Sequence, residues 1–152
     1  MQTRREMLAR SATVASLLAA AGMLPTAAQA AWPQAAFEAK NMADAVKALG
    51  GSAPAESKDV SITGPDIAEN GAVVPVACAT TLPGVKRLLL LVEKNPNVLA
   101  AVFDLSDAIE ANLSTRTKMG QSSNVYAVAM MSDGKVLYAA KEIKVTLGGC
   151  GG

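Results

Sequence analysis

The sequence predicts a mainly β protein, an antiparallel β-sandwich of about seven short strands preceded by one helix. Three observations predict this class. Hydrophobic residues make up 51% of the 152 residues but aromatic residues only 3%, so the core has to be built from Ala, Val, Leu and Ile. Apolar residues recur every three to four positions before residue 52, as in a helix, and about every second position after residue 59, as in strands. Turn sequences interrupt the second region at regular intervals.

Residues 1–30 have the pattern of an export signal. Arg4 and Arg5 precede an apolar run that is too short to span a membrane, and the small residues Ala28 and Ala30 follow it. Paired arginines before such a run are typical of the twin-arginine route, and an ordinary Sec signal is the alternative. We expect cleavage after Ala30, a periplasmic location and no membrane span in the mature protein.

Residues 31–58 are expected to form an N-terminal helix and a linker. The helix is predicted over residues 32–51, because Pro33 suits its first turn and Gly50 and Gly51 suit its end. Its apolar positions recur at a spacing of three to four residues: Ala39, Met42, Val46 and Leu49. Residues 52–58 are predicted to be a polar linker.

Residues 59–147 are expected to form the sandwich. The clearest hairpin is predicted around Asp133 and Gly134, a pair that suits a type I′ turn. Short strands at regular spacing indicate two packed antiparallel sheets. The predicted strands are residues 59–63, 72–79, 86–93, 98–105, 111–119, 124–131 and 135–147.

Two of these strands are apolar on both faces. Residues 88–92 form a continuous apolar run, and within residues 125–131 only Tyr126 carries a hydroxyl group. An antiparallel strand with one face in water should instead alternate with polar residues. Either the N-terminal helix covers the second face of the sheet, or a partner protein covers it.

Composition excludes several functions. The absence of histidine excludes Ser-His-Asp and Cys-His catalysis and imidazole metal sites. A formal net charge of +1 argues against the strongly basic surface that nucleic-acid binding needs. A copper site at Met130 and Met131 is disfavoured, because adjacent strand residues point to opposite faces. We expect no metal and no cofactor in this chain.

The two cysteines have different surroundings. Cys78 shares a strand face with Val74 and Val76, which predicts a buried core thiol. Cys150 is flanked by the glycines of residues 148–152, Gly148, Gly149, Gly151 and Gly152. Such a segment, which we call the carrier arm, gives the thiol reach but no local group that activates it, so its pKa should be at or above about 8.5. This pattern favours a carrier that delivers sulfur to other enzymes over an enzyme.

The carrier arm and the strand before it resemble a known family. Residues 141–152 are similar to the C-terminal swinging arm of the SoxY family, the sulfur-carrier subunits of the periplasmic thiosulfate-oxidising Sox system. The twin-arginine leader also resembles that family. Further segments that resemble it are residues 85–96, 114–116, 124–129 and 131–134.

The resemblance implies an immunoglobulin-like antiparallel β-sandwich that pairs with SoxZ. It also implies a role for Cys150, as the covalent attachment point to which the SoxAX cytochrome couples thiosulfate. The manganese-dependent hydrolase SoxB would then release sulfate and leave a persulfide, which SoxCD oxidises in some organisms. The chain would be a substrate carrier and not an enzyme. Cys78 departs from the family pattern, and redox exchange between Cys78 and Cys150 stays open.

Two rival functions remain. The chain could be a structural immunoglobulin-like module that uses Cys150 to form a covalent homodimer. It could also resemble ubiquitin-like sulfur carriers, whose chains end in a glycine pair like Gly151 and Gly152. Those carriers need adenylation in the cytoplasm, whereas the leader predicts export.

Overall fold

Two β-sheets packed face to face form the sandwich, which confirms the predicted mainly β, immunoglobulin-like fold. The structure is a computed structural model that describes residues 4, 7, 13 and 33–148. Almost all of the expected leader, including its cleavage site after Ala30, lies outside these residues. No helix in this described part of the chain is long and apolar enough to cross a membrane.

The smaller sheet has the strand order β2-β4-β7, and the larger sheet has the order β1-β9-β8-β5-β6, with β3 also pairing to β9. The strands are β1 (Ala55–Glu56), β2 (Val60–Thr63), β3 (Ile67–Asn70), β4 (Val74–Thr80), β5 (Val85–Val92), β6 (Leu99–Asp104), β7 (Asn112–Thr117), β8 (Ser123–Met131) and β9 (Val136–Leu147). All seven predicted strands are present, each end within two residues of its predicted position.

The strands β1 and β3 were not predicted. Each is short, and three of the four residues of β3 are exposed, so neither carries an alternating hydrophobic pattern. Both pair in parallel with β9, β1 with Leu137 and Tyr138 and β3 with residues near the end of β9. They form because β9, with twelve residues, has an edge long enough to accept both.

The prediction of one continuous helix over residues 32–51 was wrong. Two helices are present, α1 (Gln34–Phe37) and α2 (Met42–Ala48). The break occurs at Asn41, whose backbone is extended and whose side-chain oxygen accepts the Asp44 N–H at 2.8 Å. Asparagine is a strong N-cap, so the sequence contains a new helix start that the apolar spacing concealed.

The predicted helix end at the glycine pair is confirmed. Gly50 has a φ of +82°, a conformation that favours glycine. Its N–H donates to the carbonyl of Lys47 and that of Gly51 donates to the carbonyl of Val46, both at 3.0 Å. These two bonds form a Schellman motif, which satisfies carbonyl groups that would otherwise lack partners at the helix end.

The doubly apolar strands lie between two cores. The sheet-to-sheet core contains Leu88, Leu90 and Val92 from β5, packed with residues of β4 that include Cys78. The opposite face of β5 presents Leu89 and Leu91 to a second core that α1 and α2 cover. The second core comprises Ala36, Ala39, Ala45, Val46, Leu89, Leu91, Val98, Leu99, Val128, Met130 and Val136. The helices therefore cover the second face, as the first of the two sequence alternatives predicts.

The β8–β9 hairpin has a different turn from the predicted type I′. A type I′ turn needs a positive φ at both central residues, and among the described residues only glycines have one. Gly134 has a φ of +85° and donates its N–H to the carbonyl of Met131 at 3.1 Å. The hydrogen-bonded turn therefore runs from Met131 to Gly134. Gly134 is its last residue and not one of its two central residues.

Candidate functional site at the base of the carrier arm

The carrier arm begins at the exposed end of β9. Gly148 directly follows β9 and is exposed. The other predicted site residues lie outside the described residues: Gly149, Cys150, Gly151 and Gly152. What the structure defines is therefore the base of the arm, the residues that hold the end of β9 and Gly148.

One edge of β9 is held by β3. Ala68 lies opposite Val145 and Asn70 opposite Leu147 in the parallel register. The hydroxyl group of Thr146 donates to the carbonyl of Glu69 at 2.9 Å. The N–H of Gly71, just after β3, donates to the carbonyl of Leu147 at 2.8 Å. This edge of β9 is thus hydrogen-bonded up to its last residue.

The start of β3 is tied to β9 by an ion pair. The Lys141 ammonium lies 2.6 Å from the Asp66 carboxylate. Its hydrogen bond and its charge hold the pKa of Asp66 below the ordinary value. The Lys144 N–H also donates to the Asp66 carbonyl at 3.0 Å. These contacts fix the register of β3 on the strand that leads to the arm.

The other edge of β9 is held by the β7–β8 loop (residues 118–122). Regular pairing between β8 and β9 ends at Ser123 and Ile143. Beyond that point the Ser122 hydroxyl accepts the Val145 N–H at 2.9 Å. Ser122 therefore extends the ladder past the end of β8, because its side chain replaces a backbone acceptor.

Asn95, in the turn between β5 and β6, holds the β7–β8 loop. Its amide group donates to the Lys118 carbonyl at 2.7 Å, and its side-chain oxygen accepts the Gly120 N–H at 3.2 Å. The Met119 N–H donates to the carbonyl of Gly71 at 2.7 Å. Because Gly71 also binds Leu147, the two supports of β9 are joined to each other.

Gly148 passes very close to the β7–β8 loop. A Cβ atom built on Gly148 would lie within contact distance of the Gly120 carbonyl oxygen, closer than real Cβ atoms come. A Cβ built on Gly120 itself would meet nothing within 4 Å. The backbone of Gly148 has no positive φ, so the restriction on this residue is steric and comes from the loop.

Sequence reasoning missed the residues that support the arm. They are Asn95, Gly71 and Ser122. The sequences around Asn95 and Gly71 suit turns, but the contacts join positions that are distant in sequence, 23 residues apart for Ser122 and Val145. No local pattern carries that information.

Three exposed apolar side chains lie on β9, on β3 and in the turn after β3. Leu147 at the end of β9 is 71% exposed, Ile67 at the start of β3 is 59% exposed, and Val73 in the following turn is 52% exposed. These are three of the exposed large hydrophobic residues in the described part of the chain. A contact surface for another protein would use such residues.

Cys78 is a core thiol, as predicted. It lies on β4 between Ile62 of β2 and Leu113 of β7, and it is 2% exposed. Burial raises the pKa of the Cys78 thiol from its ordinary value of 9.0 to about 11. Because the sulfur is protonated and inaccessible, exchange with Cys150 would require the sandwich to open.

The raised pKa of Cys78 predicts a loss of stability at alkaline pH. Below pH 9 the thiol is protonated in both the folded and the unfolded chain. Between the unfolded pKa of 9.0 and the folded pKa of about 11, only the unfolded thiol ionises. The free energy of unfolding should therefore fall by something on the order of 2 kcal/mol across this range.

Urea titrations of the parent and of Cys78→Ala, at about pH 8 and about pH 10.5, measure this fall. In Cys78→Ala the free energy of unfolding should fall less between these two pH values, because no buried thiol is left to ionise on unfolding. Equal pH dependence in the two proteins would contradict burial of the thiol.

Met130 and Met131 lie on opposite sides of β8. Met130 packs in the second core, and Met131 lies on the opposite side of the strand and is partly exposed. Within residues 33–148 no three Cys, Asp or Glu side chains are grouped closely enough to hold a metal ion.

Comparison with known proteins agrees with this fold. The sulfur carrier protein SoxY from Chlorobium limicola f thiosulfatophilum is 36% identical, covering 68% of this chain and 94% of that one, with a TM-score of 0.61. The superoxide reductase (neelaredoxin) from Ignicoccus hospitalis is 20% identical, covering 57% of this chain and 79% of that one, with a TM-score of 0.51. The second likeness concerns the fold alone. A comparison with curated protein sequences found no significant match.

Residues 45–150 match the family described as sulfur oxidation protein SoxY, and this range includes Cys150. The fold and this match together define the class of the protein: a sulfur oxidation protein with an immunoglobulin-like β-sandwich. The chain belongs to the SoxY family.

Proposed function

We propose that this protein is a covalent carrier of sulfur intermediates, with Cys150 as the attachment point and residues 148–152 as the arm. The observation that carries the proposal is the match to the SoxY family, which extends to Cys150 itself. The base of the arm supports it, because the fold holds one edge of β9 up to Leu147 and the other edge up to Val145. The likeness to a solved sulfur carrier protein supports the same role.

The proposed chemistry uses one sulfur atom of this chain. The Cys150 thiol loses its proton and forms an S–S bond with thiosulfate, giving a cysteine S-thiosulfonate and releasing one proton and two electrons, the electrons to an external acceptor. Water then cleaves the bond to the terminal sulfonate, which leaves as sulfate with two protons, and a persulfide remains on Cys150. In this proposal the partner enzymes supply the base that deprotonates the thiol and the group that activates the water, so the protein acts as the substrate of other enzymes and not as an enzyme.

The proposed partners are those of the Sox system. SoxZ would form a heterodimer with this chain, the SoxAX cytochrome would accept the electrons of loading, and SoxB would hydrolyse the S-thiosulfonate. SoxCD would oxidise the persulfide where it is present. The exposed apolar residues Ile67, Val73 and Leu147 support docking by such proteins. Export to the periplasm by the twin-arginine leader, with cleavage after Ala30, completes the proposal.

Loading can be tested with purified mature protein. Incubation with thiosulfate and a periplasmic extract from thiosulfate-grown cells should add the mass of one thiosulfate-derived group, and a thiol reductant should remove it. Cys78→Ala should load like the parent, whereas Cys150→Ser should not load. A parent protein that shows only a Cys150-linked dimer under these conditions would favour the structural module and contradict the carrier.

A further inference from the structure

We infer that Gly148 is a positioning residue of the carrier arm. Because it has no side chain, the backbone can pass directly against the Gly120 carbonyl, and the β7–β8 loop then sets the direction in which Cys150 leaves the fold. This inference rests on the proposed carrier function. It assigns to Gly148 a role that differs from supplying flexibility.

The first support is the point at which the fold stops holding the chain. Ser122 holds Val145 on the loop edge, and β3 and Gly71 hold the opposite edge as far as Leu147. The arm therefore cannot turn freely before Gly148. Measured from this point, Cys150 is only two residues away, a span of about 7 Å when fully extended. With so short a tether, the direction at its root decides where the sulfur can reach.

The second support is the asymmetry of the contact between the two glycines. A methyl group on Gly148 would collide with the Gly120 carbonyl oxygen, which is backbone and not the flexible end of a side chain. A methyl group on Gly120 would enter open space. Neither residue has a positive φ, so alanine at either position keeps an ordinary backbone conformation. The two alanine variants thus differ only in whether the added methyl collides.

The third support is that the obstacle is fixed. The Asn95 side chain bonds to both Lys118 and Gly120, on the two sides of Met119. Met119 itself is fully buried and bonded to Gly71. The loop consequently cannot move aside cheaply when a methyl group is added to Gly148. The arm has to move instead.

The geometry is tested first, without any partner protein. A nitroxide is attached to Cys150 of the folded mature protein, where the buried Cys78 should not react, and its broadening of backbone amide signals is mapped. The parent and Gly120→Ala give the reference pattern of broadening. Gly148→Ala should shift this pattern, and Gly120→Ala should leave it unchanged. An identical pattern in Gly148→Ala and the parent would overturn the inference.

The positioning role is tested next by the rate of loading in the periplasmic extract. Misdirecting a reacting atom by about 1 Å can cost on the order of 100-fold in rate, so Gly148→Ala should load about 10- to 100-fold more slowly than Gly120→Ala. Its Cys150 should still react with a small thiol reagent at the parent rate, because only the direction of the arm changes. Adding Asn95→Ala to Gly148→Ala should restore part of the loading rate, since the loop can then yield.

Three outcomes separate this inference from the proposed function. Loading of Gly148→Ala at the parent rate, while Cys150→Ser does not load, would overturn the positioning role and leave the carrier intact. A double variant as slow as Gly148→Ala alone would contradict the role of Asn95 in fixing the loop. If the parent itself does not load, the carrier function fails, and with it the positioning role, even if the nitroxide pattern shifts as expected.

Discussion

Replacing Cys150 with serine is expected to abolish thiosulfate oxidation in cells that depend on this protein. A hydroxyl group cannot form the sulfur–sulfur bond on which loading depends, and Cys78 cannot substitute because it is 2% exposed and protonated at neutral pH. Sulfate formation from thiosulfate should fall to the level of cells that lack the protein. Sulfate production in complemented deletion cells measures this.

The matched control is Cys78→Ala, which removes the other sulfur and leaves the arm intact. It should support sulfate formation close to the parent rate. The Cys150→Ser protein should have the parent circular dichroism spectrum and melting temperature, because its change lies beyond Leu147, where the paired part of β9 ends. Sustained thiosulfate oxidation by folded Cys150→Ser would contradict the carrier mechanism.

Truncating Leu89 or Leu90 to alanine is expected to destabilise the fold by similar, large amounts. The two side chains are adjacent on β5 and point to opposite faces, yet they are 0% and 1% exposed. Leu90 packs in the core between the sheets and Leu89 in the core beneath α1 and α2. Each substitution should lower the free energy of unfolding by about 2–5 kcal/mol, measured by urea denaturation.

Leu89 is the more informative of the two. If the helices did not cover this face, Leu89 would be exposed and its truncation would cost far less than that of Leu90. The control is Ile109→Ala, a change at a residue that is 54% exposed and should alter stability little. A cost for Leu89→Ala as small as that of the control would contradict the helical layer.

Much of the fold could be predicted because its signals are local. Apolar runs, alternating or continuous, and turn sequences predict each of the seven strands β2 and β4 to β9. The continuous apolar run of residues 88–92 also indicates that both sheet faces are covered, although it does not identify the cover. The sequence left the helix and a partner as alternatives, and the packing of Val46 against Leu89 and Val128 in one core decides for the helices.

The predictions that failed depend on competition between local signals. Asn41 lies within an apolar pattern that suits one helix, but its side chain caps a new helix and breaks the old one. Asp133 and Gly134 suit a two-residue turn, but only Gly134 adopts a positive φ and the loop takes another form. The strands β1 and β3 depend on the edge of β9, so their own sequences show little.

The candidate site also has a part that the sequence reveals and a part that only the fold reveals. Cys150 and its glycines stand out in the sequence because a cysteine among four glycines cannot pack into a core. The support of the arm does not stand out, since it consists of single contacts from three separate loops. Asn95 and Ser122 become candidates for supporting the arm only when the fold places them beside the end of β9. Gly148 likewise has a steric role that its neighbours in sequence do not reveal.

The most direct test of the carrier function is to locate the bound sulfur in protein from thiosulfate-fed cells. Cleavage after Lys58, Lys86 and Lys144 places Cys78 and Cys150 on separate peptides, residues 59–86 and 145–152. We predict that peptide 145–152 carries a thiosulfonate or one extra sulfur atom, both removed by a reductant, and that peptide 59–86 is unmodified. Sulfur adducts on Cys78, or a tail peptide that is bare or only disulfide-linked to a second copy, would contradict the carrier function.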